Sequence, residues 1–341
     1  MIGGVINHPD LEVMNWDLHY YIPMAEASPH IHNDIPKPFA YRILPPFIAG
    51  FLPFGEITSF KLLMSLSLII LNISFFYFLY KHDIQQSVAF LTVVLFMFNR
   101  YFHTFFIWNP FHLTDVWSVL LILWIFMILD NMRIVSVLLF VGMFVKEVLL
   151  VMIPVCILHW RNRFSFLAIT PAVLAFIILR IVIRTDSGLG IIDALITNGW
   201  FTITNLEFIY RTLLNPYLPL MPFPMIFWRD TVGFFRRYPH FISFWIFVVI
   251  SSLFGDNAER LVFPTAIVFY FLIAKIIVKN SSFFTLILLV FFCFACSFHP
   301  YMGLFVIDTG RLMIVLMAST FGVFICGLLD WRKMVGESVA S

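Results

Sequence analysis

Charge is scarce in this chain. Only 12% of its 341 residues are Asp, Glu, Lys or Arg, against about 25% in a soluble globular domain. That shortage excludes the charge-rich, self-solvating composition of a disordered protein. A net charge of +2 without a basic tract excludes a nucleic-acid-binding surface. Cysteine is nearly as scarce: Cys156, Cys293, Cys296 and Cys326 all lie inside apolar runs, which excludes a disulfide scaffold. Cys293 and Cys296 have CxxC spacing, but Phe294 and Ala295 fill the gap and no His/Cys cluster has zinc spacing. They read as small buried hydrophobes. Also missing are the alternating strands of a membrane β-barrel and any visible repeat of about 20–50 residues.

What is abundant is apolar surface. Hydrophobic residues make up 61% of the chain, with 43 Phe, and the mean hydropathy is +0.96. A water-soluble fold has no interior large enough to hide this much. The composition predicts an all-α, polytopic integral membrane protein. A helical crossing needs about 20 apolar residues. Candidate spans run over 57–80, 87–99, 112–129, 134–160, 164–183, 240–255, 261–278, 282–298 and 312–329, with a weaker, Pro-rich one at 213–228. The stretch 41–53 is short, holds three prolines and reads as interfacial or re-entrant. The expectation is a single transmembrane domain over 1–341 with about 9–11 membrane helices, short or re-entrant ones included. Residues 1–55 form an outer-face loop with interfacial helices, 56–331 the membrane helices, and 332–341 a cytoplasmic tail.

Orientation follows from Lys and Arg in short loops, which favour the cytoplasm. Arg332 and Lys333 put the C-terminal tail inside, and counting backwards puts Arg229, Arg236 and Arg237 inside as well. Counting forwards from an outer N-terminal segment puts Lys81 and Arg133 inside. The two counts agree only if 134–160 enters and leaves on the same face. Two half-length helices with Lys146-Glu147 at their apex achieve that; a single long helix strands Arg161 and Arg163 on the outer side. Residues 1–37 are polar, with no signal peptide or leading span to carry them outward, which predicts an apolar helix upstream of Met1.

With this topology the ionisable residues collect on the outer side. They include Asp17, His19 and Tyr20; Arg42; His112 and Asp115; Lys146 and Glu147; and Asp256, Glu259 and Arg260. Such groups are costly near a bilayer and usually functional, so an outward cavity lined by acids and bases is the expected site. Plainer roles exist for several. Lys146-Glu147 could be a self-neutralising pair, Asp256, Glu259 and Arg260 a solvated turn, and Asp115 a helix N-cap. His30 and His32 have HxH spacing without further ligands, and no metal ligands are assigned.

Several of these residues fall into a pattern. Asn15-Trp16-Asp17-Leu18-His19-Tyr20-Tyr21 combines an acid with aromatics. Pro38-Phe39-Ala40-Tyr41-Arg42 leads, through more prolines, into a span. Asn109-Pro110-Phe111-His112-Leu113-Thr114-Asp115 opens a helix, Val145-Lys146-Glu147 breaks one, and Gly255-Asp256-Asn257-Ala258-Glu259-Arg260 precedes another. In order and spacing these resemble the GT-C fold membrane glycosyltransferases, in a bacterial-type form. The family pattern often has a second acid where Leu18 stands here.

The resemblance implies transfer of a sugar from a polyprenyl-phosphate donor to a saccharide or lipid acceptor on the extracytoplasmic face of the cell (inner) membrane. It implies Asp17 as catalytic base or orienting carboxylate. It further implies Arg260, Lys146 and Arg42 as cations for the lipid phosphate, and His19, Tyr20 and Asp115 as hydrogen-bond partners of sugar hydroxyls. No cofactor is implied with certainty, and a divalent metal is not specifically indicated. Alternatives are a transporter or flippase of lipid-linked saccharides and a polysaccharide polymerase or ligase.

Overall fold

A computed structural model of the chain describes residues 17–32, 34–99, 106, 112–161, 165–183, 185, 210–253, 261–281, 283–302 and 309–340. Among these, every regular element is helical. Four helices are long and apolar enough to cross a membrane: Glu56–Lys81, Ser165–Val182, Phe263–Asn280 and Met313–Lys333. The shortest has 18 residues, about 27 Å at 1.5 Å per residue, close to the thickness of the hydrocarbon layer. The chain divides into two compact units. The first comprises Met1–Ser74, Phe106–Thr204 and Ser243–Asp256; the second comprises Phe75–Phe105, Asn205–Ile242 and Asn257–Ser341.

The first unit begins with two short helices, α1 (Leu18–Glu26) and α2 (Leu44–Gly50), which pack on each other. The long helix α3 (Glu56–Lys81) follows, its residues from Phe75 onward belonging to the second unit. On α3, Leu62, Leu66, Ile69, Ile73 and Tyr77 form an exposed stripe at helical spacing. Phe60, Met64, Leu71, Phe75 and Phe78 are buried on another face. With Ile73 64% exposed at its middle, this contiguous stripe suits acyl chains better than water. After α4 (Gln86–Met97), which belongs to the second unit, comes α5 (Leu113–Met127). Trp117 Nε1 donates to Ser67 Oγ at 2.7 Å, and Trp124 Nε1 to Ser74 Oγ at 3.0 Å. Both pairs are seven residues apart, so two helix turns of α5 lie in register with two of α3. An indole N–H in apolar surroundings needs such a partner.

The stretch expected at 134–160 is a hairpin. Its arms are α6 (Met132–Gly142) and a 3₁₀ turn, Glu147–Val151, that continues into α7 (Met152–Trp160). The arms start and finish together, since Trp160 Nε1 donates to Leu129 O at 2.6 Å and His159 Nε2 lies 2.8 Å from Asp130 Oδ1. Helix α8 (Ser165–Val182) packs along both arms.

The second unit is built on α12 (Ala266–Asn280), buried along almost its whole length. α4 packs against it, as do α9 (Pro222–Ile226) and α10 (Trp228–Arg237). α11 (Pro239–Ser252) contributes residues to both units. α13 (Phe283–Met302) and α14 (Thr309–Ala340) pair closely. The Pro-rich stretch 213–228 is not one span. It divides into a π-helical turn at Tyr210–Leu214, a 3₁₀ turn at Asn215–Tyr217 and the short α9, because Pro216, Pro219, Pro222 and Pro224 interrupt the hydrogen-bond ladder. The tail with Arg332 and Lys333 continues the helix of α14.

The hairpin arms close over Gly142, where a Cβ would meet Leu149 Cγ at 2.7 Å. Gly142→Ala should therefore destabilise by about 1–3 kcal/mol, the usual cost of overpacking. A Cβ on Gly233 meets nothing within 4 Å, so Gly233→Ala should stabilise by about 0.5–1 kcal/mol through helix propensity. Thermal unfolding in detergent should shift in opposite directions for the two variants. Shifts of the same sign and size would contradict the close hairpin.

Candidate active site

Within the first unit, four stretches distant in sequence bring their polar side chains together. They are the start of α1, the segment around Arg42, the first turn of α5 and the apex of the hairpin. The apex forms because the helix stops at Gly142 and Lys146 is extended, at φ −166° and ψ 139°. The Lys146 N–H still finds Gly142 O at 2.9 Å, while Phe144 O accepts the N–H of Leu44 at 2.9 Å. The Pro-rich segment thereby satisfies a carbonyl that the break exposes, as apolar surroundings require.

Successive residues of an extended backbone point to opposite sides, and Lys146 and Glu147 take different partners. The Lys146 ammonium makes an ion pair with Asp115 Oδ1. Glu147 receives Arg42 with both oxygens, Nε to Oε2 at 3.1 Å and the second nitrogen to Oε1. The pair therefore does not merely neutralise itself, and the bidentate fork is one that Lys could not supply. Arg42 also donates to the Tyr21 hydroxyl at 3.4 Å, which lies 3.5 Å from Thr114 Oγ1. Arg180 of α8 stands over the Tyr41 ring at 4.5 Å, within electrostatic reach of Glu147.

At the other end of the cluster, His112 Nδ1 lies 3.4 Å from Asp17 Oδ2 and 3.4 Å from Asp115 Oδ2. Asp115 is not the N-cap of α5; His112 is, and Asp115 sits in the first turn. There the helix dipole favours its negative charge, and the spacing of three puts it on the same side as His112. The Asp17 carboxylate does not cap α1; it turns toward His112. Arg42, His112, Asp115 and Lys146 are all buried, whereas the Glu147 side chain keeps 30% of its exposure and that of Asp17 keeps 12%. The cluster thus reaches the molecular surface through carboxylates.

Burial alone would loosen the proton of Arg42. Glu147 and Tyr21 beside it more than reverse this and hold the guanidinium charged more firmly than in water. Burial, reinforced by Asp17 and opposed by Arg42, pushes the Tyr21 phenol up to about 12. Tyr21 therefore serves as a neutral hydroxyl. Asp17, His112 and Asp115 each offer one ligand atom within 4.8 Å of the others, a carboxylate–imidazole set suited to a divalent cation. Lys146, already on Asp115, would compete with such an ion.

Of the residues expected from sequence, Asp17, Arg42, Asp115, Lys146 and Glu147 converge here. His19 is exposed, and Tyr20 stacks on Phe39 with ring centroids 4.5 Å apart. Asp256, Glu259 and Arg260 lie outside the described residues. His112, placed among the outer-side ionisable residues but given no role, completes the cluster with Tyr21, Thr114 and Arg180, which were given none either. The spacing of three between His112 and Asp115 was the available signal.

Truncating one member of a buried ion pair typically costs about 3–5 kcal/mol. Lys146→Met should accordingly lower the thermal midpoint in detergent sharply, and Asp115→Asn in the same chain should restore part of the loss. Simple addition of the two losses would argue against the pair. Comparison with protein-family models, with curated proteins and with solved structures finds no match to this chain.

Proposed function

We propose that the chain is a membrane glycosyltransferase, moving a sugar from a polyprenyl-phosphate carrier to an acceptor hydroxyl at the extracytoplasmic face of the cell membrane. One observation carries the reading: the convergence of Asp17, His112, Asp115, Lys146, Arg42 and Glu147 in a single cluster. Glycosyl transfer needs a base at the acceptor and positive charge at the leaving phosphate, and the cluster divides in that way. Asp17 and Asp115 flank His112, and Lys146 pairs with Asp115, so this end gathers the carboxylates. Arg42 and Arg180 share Glu147, so the other end carries excess positive charge.

In the reaction, Asp17 takes the proton of the acceptor hydroxyl as its oxygen bonds to the anomeric carbon. The bond from that carbon to the phosphate oxygen breaks, and its electron pair leaves with the polyprenyl phosphate. His112 holds Asp17 in place, and Lys146 holds Asp115. Arg42 and Arg180 receive the phosphate. The basic short loops support an outward-facing site by the positive-inside rule, and the lipid-facing surface of the helices suits an isoprenoid tail.

Removing a catalytic base costs about 10²–10⁴ in rate. Asp17→Asn should lower kcat by that factor in membranes supplied with polyprenyl-phosphate-linked radiolabelled sugar, with expression and thermal midpoint unchanged. Arg180→Gln should instead raise KM for the donor. Full transfer by Asp17→Asn would refute its role. Movement of intact donor across vesicles without release of polyprenyl phosphate would favour the flippase reading.

A further inference from the structure

Helix α10 of the second unit, Trp228–Arg237, is the one described helix that is strongly amphipathic over a largely polar sequence. Its inner side is anchored. Phe234 stacks on Phe241 at 5.8 Å and meets Phe271 at 5.3 Å. Thr231 donates to Pro224 O at 2.9 Å. Asp230 accepts Lys279 and, at 2.8 Å, Asn280. Its outer side is divided along its length. Trp228 and Val232, one turn apart, form an exposed apolar edge. Arg229 and Arg236, two turns apart, form an exposed basic edge beside it, and Arg237 ends the helix. None of these three arginines has an ion-pair partner among the described residues.

More positive charge surrounds this helix. Lys275 donates to His82 O at 2.6 Å and stands over the Phe271 ring, and His82 lies edge-on to Tyr238, which Arg237 faces. Lys81 precedes His82. Burial, with Lys275 and Lys81 adding to it, lowers the His82 pKa below its ordinary value. His82 therefore contributes shape rather than charge at neutral pH. Of the nearby acids, Asp230 is already bound to Lys279 and Asn280, and Asp83 lies beside Lys275.

The depth of α10 is also defined. Two of the four apolar spans end at Lys81 and Asn280, and α10 is hydrogen-bonded to the last residues of one of them. An apolar span ends where hydrocarbon gives way to headgroups, so α10 lies at headgroup level. An amphipathic helix with Trp on one edge and Arg on the other is built for that zone.

We propose that the outer face of α10 binds anionic phospholipid headgroups of the surrounding bilayer. Trp228 and Val232 enter the acyl boundary, while Arg229, Arg236 and Arg237 hold the lipid phosphates through charge-assisted hydrogen bonds. The proposal is independent of any catalytic reading.

The test uses the full chain in detergent, titrated with phosphatidylglycerol, with phosphatidylcholine and with inorganic phosphate, bound species being counted by native mass spectrometry. Phosphatidylglycerol should bind preferentially. The triple variant Arg229→Gln, Arg236→Gln, Arg237→Gln should lose more than tenfold in that affinity, since each charge at an anionic surface is worth roughly fivefold. All three side chains are exposed, so the thermal midpoint without lipid should stay unchanged. Replacing Arg133 and Arg332 by Gln should leave binding intact. Should the triple variant misfold, the unaltered protein still decides, because raising NaCl from about 0.05 to 0.5 M should erase the preference for phosphatidylglycerol. Equal binding of both lipids, full affinity in the triple variant, or capture of free phosphate alone would overturn the proposal. So would preference for polyglutamate over lipid, which would assign the face to an acidic protein.

Discussion

A charge held against hydrocarbon has to be matched by another charge or by hydrogen bonds. The pair between Lys146 and Asp115 is where the first unit meets that demand. Lys146 stands at the break of a helical stretch whose carbonyls lose their helical partners, so the apex needs help from outside the hairpin. The help comes from Leu44, whose N–H meets Phe144 O, and from Arg42, whose guanidinium meets Glu147. The short Pro-rich segment and the hairpin apex thus complete one another. Neither is self-sufficient as a piece of apolar secondary structure, and their mutual dependence fixes the polar groups of the site.

Much of the fold was legible because apolar runs of helical length admit few other structures. The hairpin was legible for a less direct reason. A stretch of this length fits the bilayer as one tilted helix, but the basic residues on its two flanks require the chain to come back. The Pro-rich run at 213–228 misled because hydropathy does not register the loss of backbone donors at proline.

The candidate site was legible to the extent that it is ionisable. Asp17, Arg42, Asp115, Lys146 and Glu147 stand out in a chain with so few charges. Tyr21 and Thr114 do not, since tyrosine and threonine are ordinary in membrane helices and their importance here comes from a contact across 93 residues. Arg180 was hidden differently. It lies near the C-terminal end of an apolar helix, where a basic residue reads as a boundary marker, and only packing turns it toward Tyr41 and Glu147. His19 and Tyr20 have suitable chemistry two and three positions beyond Asp17, but His19 is exposed and the Tyr20 ring is taken up in stacking on Phe39.

The few charges divide into two kinds of polar structure. In the cluster of the first unit they are paired and mostly buried, and their geometry is held by bidentate and short-range contacts. Salt in bulk water screens such pairs weakly because little water reaches them. On α10 the arginines are exposed and have no carboxylate partner among the described residues, an arrangement that leaves them open to counter-charge from outside the chain. One design favours fixed orientation of reacting groups, the other tolerance of many headgroup positions. A chain with this little charge uses it where water is excluded or where hydrocarbon ends, and those are the two environments in which a single charge has most leverage.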